Sequence, residues 1–299
     1  MVVHLSESIC IHIIMEDEQN KLSDSFPPSG VGDNPTLRVR GGLRSSIPNI
    51  FTLFNLFFGC MAVVFALQTD TVIIYVNEDF SSSFNIPEKL TWAAICIIIA
   101  AIIDFLDGFV ARMMNASSSL GKQLDSLSDV VSFGVAPGVI FYQLLRFSFA
   151  REENGLDVSI AWLAPAFILS CAAAYRLAKF NLDESQSVSF KGVPVPAVGI
   201  LIASFPLILH FNTIAAINNL LINKWLLYAL IILLSYLMTS NLRMMALKFP
   251  DYTLRNNMPK IALLIIAIIA AIFLQWLAVP VIFLFYILIS LSTSKIKSE

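Results

Sequence analysis

The sequence predicts an all-α, polytopic transmembrane helix bundle of about eight spans, and three observations carry that reading. Of its 299 residues, 57% are hydrophobic and 13% charged, against roughly 45–50% apolar and about 25% charged in a water-soluble domain. The mean hydropathy is +0.78. Apolar runs long enough to cross or nearly cross a bilayer recur beyond residue 46. Hydrocarbon offers unpaired backbone amides no partner, so each run is expected to be helical. With 12 Gly, 13 Pro and 4 Cys, collagenous and disulfide-scaffold classes are excluded. The net charge of −2 implies no basic surface, so no nucleic-acid partner is expected.

Residues 1–46 hold Glu16, Asp17, Glu18, Pro27 and Pro28 among glycines and serines. Such a composition cannot bury a core, and a disordered cytoplasmic tail is expected. Spans are expected near 47–69, 90–114, 121–147, 158–181, 193–211, 224–240, 260–275 and 277–293. The first opens on a polar face, Asn49, Thr52 and Asn55 at i, i+3 and i+6. The second and third are joined by a short loop at 115–120 into a hairpin, and the fourth ends on Arg176, Lys179 and Asn181. Between 261 and 291 the apolar run is almost unbroken: it reads as one long helix, or as two short ones if Gln275 and Pro280 divide it. The chain thus divides into a tail (1–46), a core (47–240) and a cytoplasmic loop with a C-terminal helical hairpin (241–299).

Positive charge orients this layout. With the N-terminus inside, Lys89, Arg146, Arg151 and Lys224 face outward and the other 15 of the 19 Lys and Arg face the cytoplasm. That bias places both termini in the cytoplasm of a multi-pass protein of the cytoplasmic membrane. Scarce residues narrow the chemistry. Of three histidines, His4 and His12 lie in the tail and His210 ends an apolar run, which leaves little for a catalytic triad or a zinc site. Cys10, Cys60, Cys96 and Cys171 are far apart and form no CxxC, so they read as small apolar packers.

Most of the 21 acids fall in the tail or in loops, but Asp104, Asp107, Asp125 and Asp129 belong to spans. A carboxylate in hydrocarbon costs several kcal/mol unless compensated, so four together point to a function. At about 100° per residue, Asp104, Asp107, Gly108 and Ala111 share one stripe, and Gly121, Asp125, Asp129 and Ser132 share another on the next helix. The stripes face each other across the hairpin. Oxygen ligands with neither His nor Cys nearby select Mg²⁺ or Mn²⁺ over Zn²⁺, and two ions would balance four charges. A two-metal cluster is a recurrent device for displacement at phosphorus. The small residues on the same faces either let the helices pack closely or vacate space for a flat ligand.

Residues 104–129 read D-x₂-D-G-x₂-A-R-x₈-G-x₃-D-x₃-D, with eight fixed residues at fixed spacings. This resembles the signature of the CDP-alcohol phosphatidyltransferase family, over about residues 47–211 of a six-helix core completed further along. Ile47-Pro48-Asn49, Asn55-Leu56, Gly59, the run 126–137, Tyr175 to Asn181 and Gly192 to Pro196 resemble the branch of that family that uses serine. The resemblance implies transfer of a phosphatidyl group from CDP-diacylglycerol to the hydroxyl of L-serine, releasing CMP, at a lipid bilayer and in a homodimer. It also implies that Asp104, Asp107 and Asp125 are metal ligands, and that Asp129 touches a second metal and serves as general base. Gly108, Ala111 and Gly121 would make room for the cytidine, with Arg112 a nucleotide-side or structural contact.

The acceptor side is read from residue type. Arg176 and Lys179 offer a clamp for a carboxylate or phosphate, with Asn181 as a polar orienter; anchoring of the span by snorkelling is the alternative for the two cations. Asn49, Thr52, Asn55 and Ser132 are expected to line the same cavity. The metal motif does not itself separate serine from glycerol phosphate or inositol as acceptor. Intramembrane aspartates also serve cation transporters, where acids lie near the midplane or along a path; here they cluster at one face beside a tight hairpin.

Overall fold

The computed structural model describes residues 43–68, 74–76, 82–84, 87–114, 118–152, 158–182, 190–245 and 254–296; most of the expected tail lies outside them. All eight apolar runs are helical. Helix α1 (Leu43–Leu67) starts inside the stretch read as tail and carries Pro48 in its second turn, which removes one intrahelical hydrogen bond. It packs along α2 (Glu88–Met113). The third span is α3 (Ser119–Asp129), a π-helical segment (Val130–Val135) and α4 (Ala136–Ala150). The fourth is α5 (Ile160–Leu163), a 3₁₀ turn (Ala164–Phe167) and α6 (Ile168–Leu182). Then come α7 (Val195–Phe211), α8 (Ala215–Leu221), α9 (Lys224–Thr239), α10 (Leu254–Leu274) and α11 (Ala278–Ile296).

Among the described residues, five helical runs are long and apolar enough to cross a membrane, and α8 with α9, bent by 58°, makes a sixth if the pair is one span. Of these, Met258–Ser292 is continuous by composition but doubles back. Gln275 has φ 50° in the turn, and α10 packs against α11. Trp276 stacks on Phe211 at the end of α7, with ring centroids 6.4 Å apart, whereas Ser290 Oγ accepts the Met245 N–H at the opposite end of the bundle (3.3 Å). Of the two readings, the pair of short helices is what forms.

The third span is the axis of the bundle. Its membrane window is 72% buried, against 17% for Met258–Ser292. The π segment explains how one helix serves three neighbours. Ser132 reaches α1, where its Oγ donates to the Asn55 carbonyl (3.0 Å). Phe133 is fully buried against Gly199 of α7, and Gly134 lies on α6, its carbonyl accepting from Ser170 Oγ (2.9 Å). Helix α7, only 17 residues long, is buried along most of its length, while Ile50, Leu53, Phe54 and Phe57 of α1 and Ile265, Ile268, Ile269 and Ile272 of α10 are exposed. Large apolar side chains on the outer face are what a bilayer permits.

Two short antiparallel ladders lie in connections. Strands β1 (Ile74–Val76) and β2 (Ser82–Phe84) pair Ile74 with Phe84 between α1 and α2. Strands β3 (Phe190–Lys191) and β4 (Arg243–Met244) pair Phe190 with Met244. After β3, Gly192 takes φ 74° with its N–H on the Leu242 carbonyl (2.8 Å); a Cβ there would lie 2.5 Å from the Met238 carbonyl oxygen. Only glycine fits so close to the end of α9. All four tryptophans, Trp92, Trp162, Trp225 and Trp276, stand where helices begin or turn at the end opposite the α2–α3 connection, as aromatic residues at a membrane interface do.

Candidate active site

The site is at the α2–α3 hairpin. Helix α3 starts at Ser118, whose Oγ accepts the Gly121 N–H (2.9 Å), an N-cap that fixes the hairpin return. Asp104 and Asp107 in the last turns of α2, and Asp125 on α3, each bring a carboxylate oxygen within 4.8 Å of the others. Asp129, the last residue of α3, meets the Asp104 carboxyl. Asp107 and Asp129 are only 6% and 7% exposed. Asp104, Asp107 and Asp125 at this spacing form an oxygen-only set that could hold a divalent cation.

Helix α1 supplies the second layer. Thr52 Oγ1 lies 2.9 Å from Asp107 Oδ2 and 3.1 Å from its own helix carbonyl at Pro48, so its single proton has two acceptors. Three residues on, Asn55 Nδ2 donates to Asp129 Oδ1 (3.3 Å), while the buried Asn55 Oδ1 has no partner. In return Ser128 Oγ donates to the Thr52 carbonyl (2.8 Å), as Ser132 does to that of Asn55. Two side chains of α1 thus orient two acids, and two serines of the third span grip the α1 backbone at the same two residues. The helices come so close that a Cβ on Gly59 would overlap Ser132.

A cavity of about 470 Å³ opens beside the acids. Pro48, Asn49 and Thr52 form one wall, Asp107, Gly108 and Ala111 another, and Ser118, Ser119, Gly121, Lys122 and Asp125 the third. A Cβ on Gly108 would meet only Arg112 Nη1, at 3.8 Å, whereas one on Gly121 would press on Asn49 Oδ1 and Ser118 Oγ, both at 3.0 Å. The small residues therefore divide: Gly108 and Ala111 leave open space, Gly59 permits close packing, and Gly121 does some of each. The volume is that of a small-molecule site.

The expected site residues separate into groups. The four acids, Thr52 and Asn55 are brought together, and Asn49, Gly108, Ala111 and Gly121 line the cavity beside them. Ser132 serves helix packing rather than a cavity wall. Arg112 is exposed and is not among the lining residues. Arg176 on α6 has a buried Nε with no partner among the described residues, and its charge is within reach of both Asp129 and Tyr286. Lys179 Nζ donates to Asn241 Oδ1 (2.9 Å), and Asn181 Nδ2 donates to Ser126 Oγ (2.8 Å), so both are committed to protein partners. Sequence reasoning missed Ser118, Ser119, Lys122 and Ser128. The signal for Ser118 was present in a capping residue just before the Gly121 turn; Ser128 carries no signal beyond its place between two acids.

Fold and site together define a polytopic membrane protein that gathers oxygen ligands for divalent cations at one end of its bundle, beside a cavity for a small molecule. The model of the CDP-alcohol phosphatidyltransferase family matches residues 45–236. A Helicobacter pylori (strain ATCC 700392 / 26695) protein named CDP-diacylglycerol–serine O-phosphatidyltransferase is 30% identical over 230 residues, 76% of this chain and 81% of that protein. A Methanocaldococcus jannaschii protein of the same name is 36% identical over 156 residues (52% and 62%). An archaetidylserine synthase of Methanothermobacter thermautotrophicus is 33% identical over 134 residues (44% and 53%). The chain belongs to the CDP-alcohol phosphatidyltransferase family.

Proposed function

We propose that the chain transfers the phosphatidyl group of CDP-diacylglycerol to the hydroxyl of L-serine, giving phosphatidylserine and CMP. The observation that carries this reading is the convergence of Asp104, Asp107 and Asp125 beside the cavity lined by Gly108, Ala111 and Gly121. The acceptor named for the relatives supports serine.

In the reaction the serine oxygen bonds to the phosphatidyl phosphorus, the anhydride bond to CMP breaks, and the hydroxyl proton leaves. Two Mg²⁺ or Mn²⁺ ions held by Asp104, Asp107, Asp125 and Asp129 would orient the diphosphate and stabilise the departing CMP. Asp129 is the group that takes the proton, steered by Asn55 Nδ2. Thr52 fixes the Asp107 carboxylate that faces the cavity. Gly108 and Ala111 leave room for the cytidine, which Asn49 borders from α1. Arg176, with a donor unspent near Asp129, takes the acceptor carboxylate. The positive-inside bias supports a site and termini on the cytoplasmic side of the cytoplasmic membrane.

The test is CMP release by purified protein in mixed micelles containing CDP-diacylglycerol, with serine, glycerol 3-phosphate or inositol offered separately. Release that requires serine is expected. Turnover with another alcohol and none with serine would overturn the acceptor assignment.

A further inference from the structure

At the rim of the cavity, the first turns of α3 and the last turn of α6 are joined by three hydrogen bonds that close on themselves. Lys122 Nζ donates to the Asn181 carbonyl (3.3 Å). Asn181 Nδ2 donates to Ser126 Oγ (2.8 Å), and Ser126 Oγ donates to the Lys122 carbonyl (3.2 Å). Among the described residues, Lys122 is also the one cation that lines the cavity.

The Asn181 carbonyl belongs to the last turn of α6, where carbonyls lack intrahelical partners and attract a cation. That interaction uses one of the three protons of the ammonium group. The Asn181 amide then holds Ser126, one turn further along α3, so Lys122 is braced from both ends. Two divalent cations would balance the four acids and leave the two negative charges of a nucleotide diphosphate unmet. Lys122, next to Gly121 and three residues before Asp125, stands on the cavity wall where such charges would lie.

We propose that Lys122 binds the phosphates of the nucleotide donor, and that Asn181 is its positioning residue. Asn181 then acts on the donor, CDP-diacylglycerol, and not on serine. This rests on the reading that the cavity takes the CDP moiety.

Steady-state constants for each substrate, together with CMP inhibition, test it. Lys122→Gln is expected to raise both the KM for CDP-diacylglycerol and the inhibition constant of CMP by about tenfold, the scale of one charge-assisted hydrogen bond. The KM for serine should stay within about twofold of wild type. Lys122→Arg should recover most of the loss, which a general folding defect would not allow. Asn181→Ala, which keeps the carbonyl but frees Ser126, should shift the same two constants by about threefold. Unchanged donor and CMP constants in Lys122→Gln, or a change confined to serine, would overturn the proposal. Gly108→Val separates the underlying reading, because it narrows the cavity at a residue that is not part of the ring. If it leaves CMP inhibition unchanged, the cavity does not hold the nucleotide and the reading beneath the proposal falls. If it weakens CMP while Lys122→Gln does not, only the role of Lys122 is lost.

Discussion

The acid face of α2 and α3 and the polar end of α6 approach the same site, yet their side chains are used differently. On the acid face, the two most buried carboxylates each have a fixed partner from α1: Asp107 has Thr52 and Asp129 has Asn55. At the end of α6, Lys179 and Asn181 are tied to Asn241 and Ser126, while Arg176 keeps a buried donor free. On the proposed function, a run of polar residues on one helix end thus contains one group for a ligand and two with protein partners. On the same reading the acid face takes its ligands as a set, and the α6 end contributes one member.

Substitutions break or sharpen this contrast. The largest effects belong to the acids. Asp104→Asn or Asp125→Asn should lower CMP release by at least about a thousandfold and abolish divalent-dependent binding of CDP-diacylglycerol. Asp129→Asn should lose turnover as fully while still binding the nucleotide lipid; near-normal turnover would remove Asp129 as proton acceptor. Arg176→Gln should raise the KM for serine by about 10- to 100-fold and spare the donor, and equal effects on both substrates would erase the distinction between the two faces. Thr52→Val should reduce kcat by about tenfold, since it leaves Asp107 without its hydroxyl partner. Lys179→Met should leave the serine KM within about twofold, because losing an exposed contact to Asn241 costs little. A large serine-specific defect there would place Lys179 beside Arg176 as a ligand contact.

The acid face was also the more legible in the sequence. Its four aspartates stand out because hydrocarbon excludes charge, and their spacing alone puts each pair on one helical face. The span limits follow from the same exclusion, down to the division of the last apolar run at Gln275. The interruption of the third span was not legible. A uniform helical period puts Ser132 on the stripe of Asp125 and Asp129, but the π segment begins at Val130 and turns Ser132 onto the α1 backbone. Nothing in a Val-Val-Ser-Phe-Gly-Val run announces i→i+5 hydrogen bonding; it arises from three helices packing on one. The commitments of Lys179 and Asn181 were hidden for a similar reason. Residue type states what a side chain can donate, and only the fold states which acceptor is nearest.

The length of the third span bears on where the chemistry takes place. Its 32 residues, Ser119–Ala150, extend roughly 48 Å at about 1.5 Å per residue, well beyond a hydrocarbon layer about 30 Å thick. With the tryptophan-bearing end set at one interface, the first three turns of α3, with Asp125 and Asp129, would stand at the depth of the lipid phosphates. On the proposed function, a diphosphate lipid diffusing sideways in the leaflet would then arrive with its anhydride level with the acids. Neither acyl chain would have to leave the oil, and the water-soluble alcohol would have no apolar layer to cross.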